Sequence, residues 1–343
     1  MHKAICLLLC VIPIWAQTTS NPDLSVIGQL QVTATDTGVS LNGADLELAI
    51  TGHLNPYARA EVYLHKHDVE SALELEEAVL TIERGLPLGL AARLGRLRPD
   101  FGKINREHAH QWPFISAPHA ISSFAGPEMW SGTGAELSAL LPVPWYALLS
   151  VGTFNNGMSA EVHMHETEHD HSTEESEEHP SFSVRLGHFF ELGSVTHLAL
   201  GSSYYTVPET EAALFAIDSK MKWKPDTYRG FTLQSEFIMN THNEAVHEAH
   251  EEEAHMEVPE FGLYAYADYQ FNRKWNIGLM LDGVKHHEED TEYTPSVFLG
   301  FSPVEDSSVL RVVFKNNVHE GNSELLMLTQ LIWSLGPHNP HTF

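Results

Sequence analysis

The residues best equipped for chemistry lie in 161–180, EVHMHETEHDHSTEESEEHP, where five histidines stand among eight carboxylates without one Lys or Arg. Its candidate ligands are His163, His165, His169, Asp170, His171 and His179. A second tract, 242–260, sets His242, His247, His250 and His255 among glutamates, and a third reads His286-His287-Glu288-Glu289-Asp290. Neutral imidazole with carboxylate is the donor set that suits Zn, Ni, Cu or Fe, so the tracts predict binding of a divalent transition metal, zinc foremost. Each site is expected to be weak, because ordering a floppy loop opposes binding. The same composition also describes a solvated loop whose charge simply keeps it in water.

No tract is a catalytic zinc motif. His247-Glu248-Ala249-His250 and the pair His250 and His255 both miss the H-E-x-x-H spacing that puts two imidazoles on one helical face. Gly-x-Ser-x-Gly is absent as well, so the sequence offers no sign of an enzyme. No organic cofactor is implied.

What the tracts do depends on the elements that carry them. Residues 1–16 read as a secretory signal peptide: Lys3, an apolar run from Ala4 to Trp15, and the small Ala16 before a polar stretch. That leaves 17–343 as one domain. Both cysteines, Cys6 and Cys10, lie in the signal, so the mature chain is expected to hold no disulfide and no thiolate metal site. The net charge of -27 argues against nucleic acid as a partner, and much of it sits in the His-acid tracts. Beyond the signal, no run approaches the ~20 apolar residues of a membrane-spanning helix.

Period-2 alternation over segments of about ten residues fills the rest, the pattern of a sheet with one oily and one wet face. In one segment Trp275, Ile277, Leu279 and Leu281 alternate with Asn276, Gly278 and Asp282; in another Leu310, Val312 and Phe314 alternate with Arg311 and Lys315. Sixteen strands are predicted, near 24–35, 43–53, 57–66, 73–84, 88–97, 131–142, 144–154, 181–191, 194–206, 212–223, 227–240, 259–271, 274–285, 293–302, 307–317 and 322–335, with fourteen or eighteen as near variants. Their connections alternate between tight turns, such as 54–56 and 142–144, and long loops at 98–130, 155–180, 241–258 and 286–292. An all-β fold, a transmembrane antiparallel β-barrel, has this asymmetry, with short periplasmic turns and long extracellular loops. A soluble β-sandwich shares the alternation but needs a second layer over its oily faces, and none is evident. Aromatics at predicted strand ends, Trp145, Trp223, Tyr228, Trp275, Tyr293 and Trp333, suit an interfacial girdle.

As architecture the chain resembles the bacterial outer-membrane porins over essentially all of its mature length. It is similar, more narrowly, to a group of porin-like outer-membrane proteins associated by name with zinc regulation that carry His-rich acidic loops. That likeness rests on Phe101-Gly102-Lys103-Ile104-Asn105-Arg106 with His108, His110 and Trp112-Pro113-Phe114, on Gly134-Ala135-Glu136-Leu137-Ser138 leading to Pro142-Val143-Pro144-Trp145-Tyr146, and on Gly336-Pro337-His338 with His341 and Phe343. Some of that group are labelled TonB-dependent receptors, but this chain is expected to lack room for a plug domain of the usual size. The resemblance implies an outer-membrane location, lipid as surroundings and a homotrimer as a common assembly. It also implies that the loop after the fifth strand folds into the lumen, which here is 98–130. Its Arg98, Asp100, Lys103, Arg106, Glu107, His108, His110 and His119 are the expected constriction residues, faced from the wall by Arg59, Arg93, Arg185, Arg311, Glu236 and Asp268.

The expected function is passive diffusion of small solutes, divalent metal ions such as zinc among them, gathered by the His and Glu loops at the mouth. The competing readings are a general or anion-selective porin with inert acidic loops, a periplasmic or surface metal-binding protein, and a TonB-dependent metal receptor.

Overall fold

The computed structural model describes residues 22–68, 70–155, 179–209, 212–241, 259–286, 291–304, 307–319 and 321–337. The expected signal peptide, 1–16, lies outside them. In chain order the strands are β1 (Asp23–Ala34), β2 (Val39–Asn55), β3 (Ala58–Lys66), β4 (Glu74–Ile82), β5 (Ala91–Leu97), β6 (Gly132–Leu140), β7 (Tyr146–Phe154), β8 (Ser181–Glu191) and β9 (Thr196–Val207). They continue with β10 (Ala212–Trp223), β11 (Gly230–Thr241), β12 (Glu260–Gln270), β13 (Trp275–Lys285), β14 (Glu292–Tyr293), β15 (Ser296–Val304), β16 (Ser308–His319) and β17 (Asn322–Leu335). One short helix, α1 (His119–Ala125), lies between β5 and β6.

Each strand pairs antiparallel with its sequence neighbours, and β17 pairs with β1 from Val26 opposite Leu335 to Ala34 opposite Met327, so the sheet closes on itself. Segments β14 and β15 both pair with β13 and β16 and count as one strand interrupted at Thr294-Pro295. Pro295 has no N–H to give to a ladder, which accounts for the break. The ring therefore has sixteen strands. It matches the predicted sixteen with shifts at the ends. β2 begins at Val39 rather than 43, after a tight turn at 35–38 on the end of the barrel that elsewhere carries loops. The start predicted at 88 is displaced to Ala91 by a 3-10 turn at Pro87–Gly89.

The barrel is inside-out relative to a water-soluble fold. Leu279, Leu281, Leu233, Ile277, Val297 and Phe314 are exposed on the outer wall, while Gln234, Glu236, Asp218, Lys220 and Arg185 are buried in the lumen. The predicted parity is reproduced: the oily faces point to lipid and the wet faces inward. Trp145, Trp223, Trp275 and Trp333 are exposed near the ends that carry the tight turns, and Tyr293 lies toward the opposite end. The pattern fits two interfacial belts around an apolar band.

Candidate functional site

The segment between β5 and β6 turns inward and crosses the lumen, so the lumen is the site. Its apolar side chains Phe101, Ile104, Trp112, Phe114, Phe124 and Trp130 pack with inward-facing Tyr205, Ile238, Tyr264, Tyr266, Met280 and Phe298 into one buried cluster. Helix α1 lies on β11, β12 and β13. That approach needs Gly262, where a Cβ would fall 2.3 Å from the Ala120 carbonyl oxygen. Asp282 of β13 accepts the backbone N–H groups of His119 and Ala120 at the start of α1.

Polar anchors complete the hold. Asn105, fully buried, donates to the Pro99 and Trp130 carbonyls at 3.0 and 3.1 Å and accepts the Trp130 N–H at 2.8 Å, so one amide ties both arms of the segment. Glu236 of β11 accepts the N–H groups of Lys103 and Ile104 at 3.1 and 3.3 Å. Lys220 of β10 donates to Glu107 at 2.8 Å, and Arg311 of β16 donates to the His110 carbonyl at 2.8 Å. Asp100 meets Arg185 at 3.3 Å, Ser150 at 2.9 Å and Arg106 at 3.9 Å. Burial alone would raise its carboxyl, but Arg106 and Arg185 hold it below the usual carboxylate range.

The predicted constriction residues are thus in the lumen, and most serve to fix the loop. Arg98 donates to the Glu107 and Glu128 carbonyls and pairs with Glu76; Arg185 is bidentate on buried Asp218. Arg93 bonds Glu136 at 3.1 Å, Arg59 lies between Glu61 and Glu83, and Asp268 accepts from Asn276 at 2.7 Å. His119 stands apart from the narrow zone, 2.7 Å from Glu292. Lys103 contributes its backbone N–H.

His108 faces three carboxylates. Its Nε2 is 3.1 Å from Glu77, and its Nδ1 is 3.4 Å from Glu47 and 3.7 Å from Glu76. Burial disfavours the charged ring, yet Glu47 and the hydrogen-bonded carboxylates outweigh it and push the imidazole up to about 10. Glu76 and Glu77 can both reach this region because the β3–β4 register shifts between Tyr63 and Leu64, placing Tyr63 opposite Glu77 and Leu64 opposite Leu75. The extra residue of this bulge is Glu76.

Two spaces are left beside the loop, the smaller along β1 to β4 and the larger along β10 to β17. The smaller, a cavity of about 110 Å³, is lined by Gln29, Asp45, Glu47, His65, His67 and Glu128, among others. The larger, of about 400 Å³, lies between the loop and Lys222, Asp268, Arg311 and Ile332. Ile27, His110 and Trp112 line both. None of Asp45, Glu47, His65, His67, Glu76, Glu77 and Glu128 stood among the expected site residues. The available signals were the i, i+2 pairs Asp45 and Glu47 and His65 and His67, each on one strand face.

Of the predicted metal ligands, His163, His165, His169, Asp170, His171, His242, His247, His250, His255 and His287 lie outside the described residues. His179 is half-buried just before β8, and His286 sits 3.3 Å from Glu260 at the end of β13.

No family model matches the chain. A protein of Aquifex aeolicus (strain VF5), described as uncharacterized, is 26% identical over 337 residues, covering 89% of this chain and 70% of its own. Solved structures are far more distant in sequence and similar in shape. The outer membrane channel DcaP of Acinetobacter baumannii superposes with a TM-score of 0.59 at 10% identity, over 92% of this chain and 96% of its own. OprB of Pseudomonas putida gives 0.54 at 10% over 92% and 94%, and the trimer form of the outer membrane protein OmpT of Vibrio cholerae gives 0.55 at 6% over 92% and 100%.

The fold is that of an outer-membrane porin. A closed barrel satisfies its backbone hydrogen bonds internally, and with this apolar exterior it belongs in the bacterial outer membrane.

Proposed function

We propose that this barrel is a passive diffusion channel for small hydrophilic solutes, with divalent transition-metal cations such as zinc as a favoured class, and that segment 98–130 is its constriction. The observation that carries the reading is the crossing of the lumen. Side chains from β10, β11, β13 and β16 hold the segment, and the smaller of the two spaces beside it is lined by Asp45, Glu47, His65 and Glu128. Fixed carboxylates in a confined aqueous path raise local cation concentration and set ion preference through Coulomb terms. On this reading the tracts at 155–180 and 241–258 face the outside and collect cations at the mouth, and the assembly is a trimer. Lys222 and Arg311 on the other cavity support a second reading, a general porin with no cation preference.

Planar-bilayer recording of the refolded chain tests this. Stepwise conductance with a reversal potential shifted toward the cation equilibrium value supports a cation-preferring channel. No shift, or a shift toward the anion value, favours the second reading, and absence of conductance overturns both.

A further inference from the structure

Ligand-type side chains along the passage form two groups, stacked because Asp45 and Glu47 are two residues apart on β2. The first combines Glu47 with His108 and His110; the second combines Asp45 with His65 and His67. In the first, both ring nitrogens of His108 face carboxylates, and Arg98 donates to the nearby Glu107 carbonyl and pairs with Glu76. That group already holds its positive charge.

The second group is arranged differently. One ligand atom from each of Asp45, His65 and His67 lies within 4.8 Å of the others. His67 Nε2 is 3.0 Å from Glu128 Oε2, and His65 Nδ1, which makes no hydrogen bond, lies 4.0 Å from the same oxygen. All four residues line the cavity of about 110 Å³. Around a tetrahedral zinc bound at ~2.0–2.2 Å, ligand atoms stand roughly 3.3 Å apart, a spacing that small side-chain rotations reach from here.

Asp45 is also held from behind. Gln29 Nε2 donates to its Oδ2, Gln330 donates to Gln29 Oε1 at 2.8 Å, and Arg311 donates to Gln330 at 3.2 Å. This chain crosses the β1–β17 closure and leaves Oδ1 turned toward His65. Outer partners that fix a ligand's orientation are what a metal site requires of its surroundings.

We propose that Asp45, His65, His67 and Glu128 form a binding site for one divalent transition-metal cation of the zinc class in the wall of the passage. Two imidazoles with two carboxylates favour zinc, nickel or copper over magnesium and calcium, which take oxygen ligands. The half-exposed His67 and Glu128 give the cation a way on and off. A cation bound there reduces the current through the passage; that effect rests on the channel reading, whereas the binding does not.

The test is zinc titration of the full refolded chain with diethyl pyrocarbonate footprinting of histidines, read residue by residue by mass spectrometry. Micromolar zinc is expected to protect His65 and His67 with one common half-point, while millimolar magnesium protects neither. In Asp45→Asn that half-point should move at least tenfold higher. His67→Ala, at a half-exposed position, should do the same for His65, which keeps the test decisive if Asp45→Asn fails to fold. Protection that is missing, equally produced by magnesium, or unchanged in both variants overturns the site and leaves simple His–carboxylate ion pairs. Bilayer recordings in the same zinc separate the two readings. Protection without any conductance upholds the site and removes the channel, while conductance insensitive to zinc with no protection removes the site and leaves the channel.

Discussion

Gly102 and Glu236 meet so closely that a Cβ on Gly102 would fall 1.7 Å from Glu236 Oε1, at a backbone φ of +58°. The glycine lets a wall carboxylate reach under the loop and collect the N–H groups of the next two residues. Gly102→Ala therefore introduces both a left-handed alanine, costing about 1 kcal/mol, and displacement of Glu236. The expected result is a loosened constriction, seen as larger and noisier single-channel steps with the barrel's circular dichroism unchanged.

Arg185 of β8 and Asp218 of β10 form a buried bidentate pair across β9. Removing one partner of such a pair costs about 3–5 kcal/mol, because the other charge is stranded, whereas removing both is far milder. Arg185→Leu should lower the thermal midpoint in detergent markedly, and the double variant Arg185→Leu/Asp218→Leu should recover much of the loss. A double variant no better than the single would refute the pairing argument.

His108 sets a pH dependence. Its folded pKa of about 10 exceeds the ordinary 6.5, so protonation is linked to the folded loop. The stabilisation is fully present below about pH 6.5 and is lost as pH rises through 10. Thermal midpoints measured from pH 6 to 10.5 should fall over that window in the wild type and fall less in His108→Gln. The same substitution removes a cation from among Glu47, Glu76 and Glu77, so the reversal potential should move further toward cations.

On the outer wall, Leu279 lies midway along β13 and faces lipid. Leu279→Arg should destabilise the barrel in bilayers by about 2–4 kcal/mol, the cost of arginine at the bilayer midplane. Folding titrations in lipid vesicles measure it. No difference from Leu279→Ala would place this position away from the midplane.

The wall was legible in the sequence because strand parity is a local property: Leu279 and Asp282 declare their faces without reference to any distant residue. The loop's inward course came from resemblance, and its apolar residues agreed with it. Its landing points were not legible, since pairs such as Lys220 with Glu107 or Arg311 with the His110 carbonyl join positions far apart in the chain. The bulge on β4 defeated alternation outright, because strict period 2 sends only one of Glu76 and Glu77 inward. Asp45 and His65 were readable as lumen positions. That a glutamate from the far arm of the loop, Glu128, joins their group depends on the loop's fold.

The closure between β1 and β17 gains a meaning from where the passage lies. Ile27 of β1 and Ile332 of β17 both line the larger cavity, and the Gln29–Gln330 bond crosses the closure. On the channel reading, part of the wall of the water path is therefore the one strand pair whose members come from opposite ends of the ring's sequence. Every other pairing joins strands next to one another along the chain, but this one joins the first strand to the last. A barrel lacking that pairing would leave this side of the lumen open. Completing the barrel and completing the conduit are one event.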